Sequence, residues 1–171
     1  MNAPPYRGEG THALWHVSED STIERFEPRD GRIWAIDTRH LPLYWFPRDC
    51  PRATFWAVEE TTDDDVDRFL DGDRSRRMHV IERAWLERMR STQLFTYRLP
   101  AAMFDAEDRY WISHTAVEPS QCTELPDLLA LHATAEIELR IAPKLLELWE
   151  RVFASTLDFS GIRLRNATLA R

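Results

Sequence analysis

ALWHVS (Ala13–Ser18) and IWAID (Ile33–Asp37), followed by LPLYWFPRDCPR (Leu41–Arg52), are the stretches on which the reading of this chain turns. The two short segments are apolar and rich in branched and aromatic side chains, which suits a pleated strand. Side chains alternate across a strand, so His16 falls on the face opposite Trp15 and Val17. Asp37 or Thr38 then caps a short helix through Tyr44, kept short by Pro42. Pro47 and Pro51 bracket the tight PRDCP segment and stiffen it.

Working outward, Ser18–Gly31 reads as a polar loop with one helical turn, packed down by Ile23 and Phe26. Gly31 admits the second strand. Ala53–Val58 resumes as a strand, and Thr61 and Thr62 ahead of Asp63, Asp64 and Asp65 open a helix with Val66, Phe69 and Leu70 on its inner face. The pattern predicts helices over Ile81–Arg90 and Leu125–His132, and strands over Gln93–Leu99, Tyr110–His114 and Glu136–Ile141. Pro143 suits the first turn of a final helix, Lys144–Ser155, whose stripe is Leu145, Leu146, Leu148, Trp149, Val152 and Phe153. Short strands outnumber long helices and no strand–helix alternation runs through the chain. That pattern favours an α+β fold of small antiparallel sheets with peripheral helices over a doubly wound parallel sheet. One domain is expected over residues 13–171, behind a flexible leader at 1–12.

Composition removes several function classes. A chain of 171 residues buries roughly 70% of its unfolded surface, enough for a proper core. It has no apolar run near the roughly 20 residues that span a bilayer. The leader lacks the apolar core of a signal peptide, and two cysteines make no disulfide framework, so a cytoplasmic protein with reduced thiols is expected. A formal net charge of −7 argues against bulk binding to double-stranded nucleic acid. Every basic residue except Lys144 is arginine, which suits phosphate or carboxylate recognition, or reflects nothing more than arginine-rich codon usage. There is no HExxH or HxH metal motif, no GxGxxG or Walker loop, and no GxSxG elbow. No metal and no resident cofactor are expected.

Five positions could carry chemistry. A neutral His16 could hold a ribose hydroxyl or carry a proton, or be a half-buried histidine bonded to a backbone carbonyl. Tyr44 offers a face for stacking a base or nicotinamide ring, or fills core beside Trp45 and Phe46. Arg48 and Arg52, on a stiffened loop, suit a phosphate, or pair with Asp49 and the acidic 59–65 stretch. Glu118, just before Pro119, could sit at a cleft rim and stabilise a developing cation, or be solvated surface. Cys50 lies between the two arginines, which would favour its thiolate. His16 and Tyr44 are expected to line one cleft that takes a small-molecule nucleotide.

LWHVSEDSTIERFEPR (14–29), IWAIDTRHLPLYWFPRDCPR (33–52) and DFSGIRLRNA (158–167) resemble a bacterial family of about this length with no assigned activity. More distantly, a histidine in a first strand, a tyrosine on a short helix after a second strand and a late acid are similar to the layout of ADP-ribosyltransferase-like domains. That resemblance implies a split pair of antiparallel sheets and NAD as substrate rather than cofactor. It implies that His16 holds the adenosine ribose, Tyr44 stacks on nicotinamide and Glu118 orients the nicotinamide ribose for transfer or hydrolysis of the ADP-ribosyl group. A non-catalytic module for nucleotides or RNA ends, or a protein-interaction domain, is the alternative.

Overall fold

In chain order the strands and helices are β1 (Leu14–Ser18), β2 (Ile33–Asp37), β3 (Arg52–Trp56), α1 (Asp63–Leu70), β4 (Arg77–Glu82), α2 (Leu86–Ser91) and β5 (Leu94–Leu99). Then come β6 (Asp105–Glu107), β7 (Tyr110–Ser113), β8 (Gln121–Leu125), α3 (Leu128–Thr134), β9 (Ile137–Ala142), α4 (Leu145–Phe153) and β10 (Asp158–Ile162). The structure is a computed structural model that describes residues 13–168, so the expected leader lies outside it. The fold is α+β with two sheets. Two compact units divide the chain, one from residues 13–48 and 92–131 and the other from 49–91 and 132–168. Among the described residues no helix is long and apolar enough to cross a membrane.

The first unit is a six-stranded sheet in the order β6-β7-β2-β1-β5-β8, antiparallel at every pair. Strand β1 pairs with β5 along its whole length, from Leu14↔Leu99 to Ser18↔Phe95. With β2 it pairs only at Leu14↔Asp37 and Trp15↔Ile36. One sheet face buries Leu14, Ile33, Ala35, Tyr97 and Leu99 under Phe26, Phe104 and Val117. The Ser18–Gly31 segment has no helical turn. Its backbone groups find other partners: the Tyr97 hydroxyl donates to the Asp20 carbonyl at 2.6 Å and accepts the Ile23 N–H at 3.2 Å. Phe26 exchanges backbone hydrogen bonds of 2.8 and 3.0 Å with Val117.

The second unit is a four-stranded sheet in the order β10-β3-β4-β9, and β9 runs parallel to β4, where the sequence suggested antiparallel pairing throughout. Strand β4 takes part of the span that reads as a helix from Ile81. All six of its residues are buried, and a strand covered on both faces loses the alternation that marks strands in a sequence. Helical conformation begins only at Arg83, in a 3-10 turn leading into α2. Likewise β8 ends before Pro126, and Asp127 caps α3 by accepting the N–H groups of Leu129 and Ala130 at 2.8 and 3.2 Å. Helix α1 starts as expected, with the Thr62 hydroxyl accepting the Asp65 N–H at 3.3 Å.

Ala53, Phe55, Met78 and Val80 form one face of this sheet, buried with Val66, Phe69 and Leu70 of α1 and Leu145 and Val152 of α4. The N-cap residue of α4, Lys144, offers no side-chain cap. Glu82 supplies it from the end of β4: its buried carboxylate accepts the Leu145 N–H at 3.1 Å and the Thr168 N–H and hydroxyl at 3.0 and 2.9 Å. A carboxylate at a helix N-terminus faces unsatisfied N–H groups and the positive end of the dipole, which offsets the cost of burying it.

Trp149 of α4 lies against Gly161 of β10 so closely that a methyl there would sit 2.6 Å from the indole and 2.7 Å from Leu164 Cδ1. The Gly161→Ala variant is therefore expected to lose about 1–3 kcal/mol of stability through overpacking. Urea denaturation followed by tryptophan fluorescence checks it, and an unchanged midpoint would mean the indole moves aside freely.

Candidate functional site

His16 sits where β2 parts from β1. After Trp15↔Ile36 the two strands no longer pair, and the His16 imidazole turns to the Trp34 carbonyl, 2.9 Å from Nδ1. A carbonyl can only accept, so Nδ1 carries the proton and Nε2 of the neutral ring is left as an acceptor. The half-buried ring is held from the other side by Phe26, whose centroid lies 4.8 Å away. Phe26 in turn meets Tyr97 edge-on at 5.3 Å, and Tyr97 is the cross-strand partner of His16. Burial raises the Tyr97 phenol to about 12, so it serves as a neutral clamp on the loop.

Burial also lowers the His16 pKa, only partly offset by the Trp34 carbonyl bond, and the positive charges of Arg29 and Arg48 lower it further. The imidazole is thus neutral at physiological pH. Arg48 is brought there by a specific tie: its backbone N–H donates to Glu19 Oε1 at 2.9 Å, one residue beyond β1. Tyr44 is half-buried at the end of the 3-10 turn Leu41–Tyr44, four residues ahead of Arg48. That turn is set by Asp37, whose Oδ1 accepts the His40 N–H at 2.9 Å and its ring Nδ1–H at 2.8 Å.

Glu118 is placed differently. Phe26 and Val117 pair with their side chains inward, so their neighbours Arg25 and Glu118 point to the solvent side. Glu118 is 72% exposed and pairs with Arg25 at 3.4 Å, away from the face that Phe26 shares with His16. Arg52 is not on a loop but is the first residue of β3 in the second unit, buried, with Nη1 donating to the Cys50 carbonyl at 3.0 Å. Cys50 is buried too. Desolvation pushes its thiol up to about 12, overwhelming the opposing pull of Arg52. The thiolate expected from flanking arginines is therefore not formed.

The chain belongs to the family of unknown function DUF6886. The match covers residues 15–167, from β1 to the end of the last 3-10 turn, and so takes in both units. Neither curated proteins nor solved structures yield a match. Membership agrees with the resemblance carried by the three sequence blocks to a family without an assigned activity.

Sequence reading missed a second histidine arrangement. In the second unit His79 of β4 and His132 of α3 are both buried, with His79 Nδ1 3.0 Å from His132 Nε2 and the rings edge-to-face at 5.1 Å. Only the fold joins them, since they stand 53 positions apart. Among the described residues no cluster of three or more histidine, cysteine or acidic side chains could hold a metal ion.

Two outcomes follow for these groups. The native protein should react with a thiol reagent at the exposed Cys122, with Cys50 labelled only on unfolding, as mass spectrometry after pulse labelling would reveal. The pH dependence has a definite sign. Burial first, then the charges of His132, Arg77 and Arg52, holds His79 well below its ordinary value. The unfolded chain then binds a proton that the native state refuses, so stability is full above about pH 6.5 and falls as pH drops below it. The fall is at most about 1.4 kcal/mol per pH unit for one proton. Urea midpoints at pH 7.5 and 5.5 should show a smaller difference in His79→Leu than in the parent.

Proposed function

We propose that the first unit binds a nucleotide of the NAD or ADP-ribose type, with His16 on a ribose hydroxyl, Arg48 toward phosphate and Tyr44 beneath a ring. The observation that carries this reading is the His16 imidazole: neutral, fixed through Nδ1, and offering Nε2 as an acceptor in the field of two guanidinium groups. A ribose hydroxyl donates to such a nitrogen, and nearby guanidinium groups complement the phosphates of the same molecule. A split pair of sheets of the ADP-ribosyltransferase-like kind is the architecture we favour, with His16 on β1 and Tyr44 on the helical turn after β2. Two free thiols, Cys50 and Cys122, suit a cytoplasmic protein.

Between transfer and binding alone, the position of Glu118 favours binding. Stabilising positive charge on a ribose calls for a carboxylate aimed at the developing charge, and Glu118 points to solvent in a pair with Arg25. ADP-ribosyl transfer or hydrolysis remains the second reading, supported by the order His16, Tyr44, Glu118 along the chain.

Calorimetric titration with ADP-ribose and NAD, alongside an assay for released nicotinamide, tests both. Arg48→Ala should weaken ADP-ribose binding by about 1.5–3 kcal/mol, roughly ten- to a hundredfold. His16→Ala should weaken it less, and Glu118→Gln hardly at all. Parent protein that binds neither compound sinks the nucleotide reading. Nicotinamide release that Glu118→Gln abolishes would establish the catalytic reading, transfer or hydrolysis.

A further inference from the structure

Strand β9 is an outer strand of the second unit's sheet and pairs with β4 on one side only. Along its other side the backbone N–H and C=O groups of Ile137–Ala142 have no hydrogen-bond partner among the described residues. Such an edge is a template for another strand unless a proline, a bulge or a lysine blunts it. None of these interrupts β9, whose register with β4 runs unbroken from Ile137 to Ala142. Its limits are sharp. Glu136 before it has a left-handed φ of 57°, and Pro143 after it has no N–H to donate. The strand reads Ile137-Glu138-Leu139-Arg140-Ile141. In both directions the apolar and charged positions coincide, with the charge reversed about Leu139. Glu138 and Arg140 share one face of the strand, and Ile137, Leu139 and Ile141 share the other. The two charged side chains are each 40% exposed and already joined, Arg140 donating to Glu138 Oε1 at 3.0 and 3.3 Å. Asp71 lies 3.6 Å from Arg140, and Arg76 lies 3.4 Å from Glu138.

We infer that β9 is a self-association edge: a second copy of this chain lays its own β9 antiparallel along it, about a two-fold axis through Leu139. The pairing joins the two four-stranded sheets into one. In that register Leu139 faces the partner's Leu139, Ile137 faces the partner's Ile141, and Glu138 faces the partner's Arg140. Directly opposite residues of an antiparallel pair share a face with Cβ atoms about 4.5–5.5 Å apart. The four charges therefore form a rectangle alternating in sign, in which each strand keeps its own Glu138–Arg140 bond and gains another across the axis. Exposed ion pairs contribute little singly, but such a network fixes register. Moving the axis to residue 138 sets Glu138 against the partner's Glu138, and moving it to residue 140 sets Arg140 against the partner's Arg140. Both are destabilising. A slip of a single residue sets the charged side chains opposite apolar ones. The backbone edge supplies the attraction, and the charge pattern selects a second copy over an unrelated strand. The outer strand β8 of the other sheet lacks this symmetry, since about Thr123 it would set Cys122 against Glu124.

Sedimentation velocity over about 5 to 500 μM protein, a span suited to a small interface, tests this. It compares the parent, Glu138→Arg, Arg140→Glu, the double variant carrying both changes, and an equimolar mixture of the two single variants. The parent should pass from monomer to dimer within that span. Each single variant sets like charges opposite one another at both pairs and should associate at least about tenfold more weakly. The mixture should dimerise at least as well as the parent, because one strand then carries two arginines and the other two glutamates. The double variant should return to the parent's behaviour. Both rescues require folded chains, so they separate lost pairing from lost structure. In a Cys122→Ser background, Leu139→Cys should crosslink to its own copy under mild oxidation, because opposite Cα atoms lie about 4.5–5.5 Å apart, within disulfide reach. Ile141→Cys, which faces the partner's Ile137, should not. A parent that stays monomeric throughout overturns the inference, and β9 is then left to an unrelated strand. Single variants that associate like the parent overturn it too, since the contact then lies elsewhere. So does a mixture and a double variant that both stay monomeric.

Discussion

The parting of β2 from β1 after two residue pairs is the constraint from which the first unit's character follows. Where the ladder stops, no strand supplies a donor to the Trp34 carbonyl. His16 does, through its side chain. The same bond settles the tautomer, orients the ring and leaves the Nε2 lone pair as an acceptor. Tyr97, opposite on β5, completes the arrangement by holding the Asp20–Ile23 stretch and, through it, the Phe26 ring.

Much of this was legible in the residues. The alternation in LWHVS set the face of His16, the Thr62 cap and its acids marked α1, and the stripe on the last helix marked α4, although Phe153 ends up 63% exposed. Elements covered on both sides were not legible. Strand β4 reads RMHVIE, with no alternation to betray it, because every one of its side chains is buried. The site residues separate along the same line. The placement of His16 depended on local periodicity, which the sequence contains. The fates of Arg52, Cys50 and Glu118 depended on burial and on a partner far along the chain, such as Arg25 at a separation of 93 positions. Proximity of charges in sequence suggested an activated Cys50, but removal from water is the larger effect.

The second unit manages buried polarity in another way. Glu82 ends a central strand and binds both the start of α4 and Thr168, so one carboxylate joins three separated pieces of chain. His79 and His132 join β4 to α3 through a single shared hydrogen bond. Such groups contribute little net stability compared with an apolar filling, because their desolvation is costly. Their value is discrimination: a misplaced strand or helix would strand a charge or an imidazole in an apolar place, and that alternative is disfavoured by several kcal/mol, on the order of the loss from breaking a buried pair.

The parallel pairing of β4 with β9 has a consequence for how the protein is made. On a ribosome, β3 and β4 emerge early, while β9 and β10, which flank them in the finished sheet, come after the whole 92–131 segment of the other unit. The nascent second unit therefore waits with two open strand edges while the stretch from the end of β4 to the start of β9, residues 83–136, is synthesised, at about 5–20 residues per second. Contacts of such long sequence separation form slowly and expose hydrogen-bonding edges to other chains in the interval. The segment that pairs β1 with β5 is finished first, so the sheet that bears His16 is complete before the other can close.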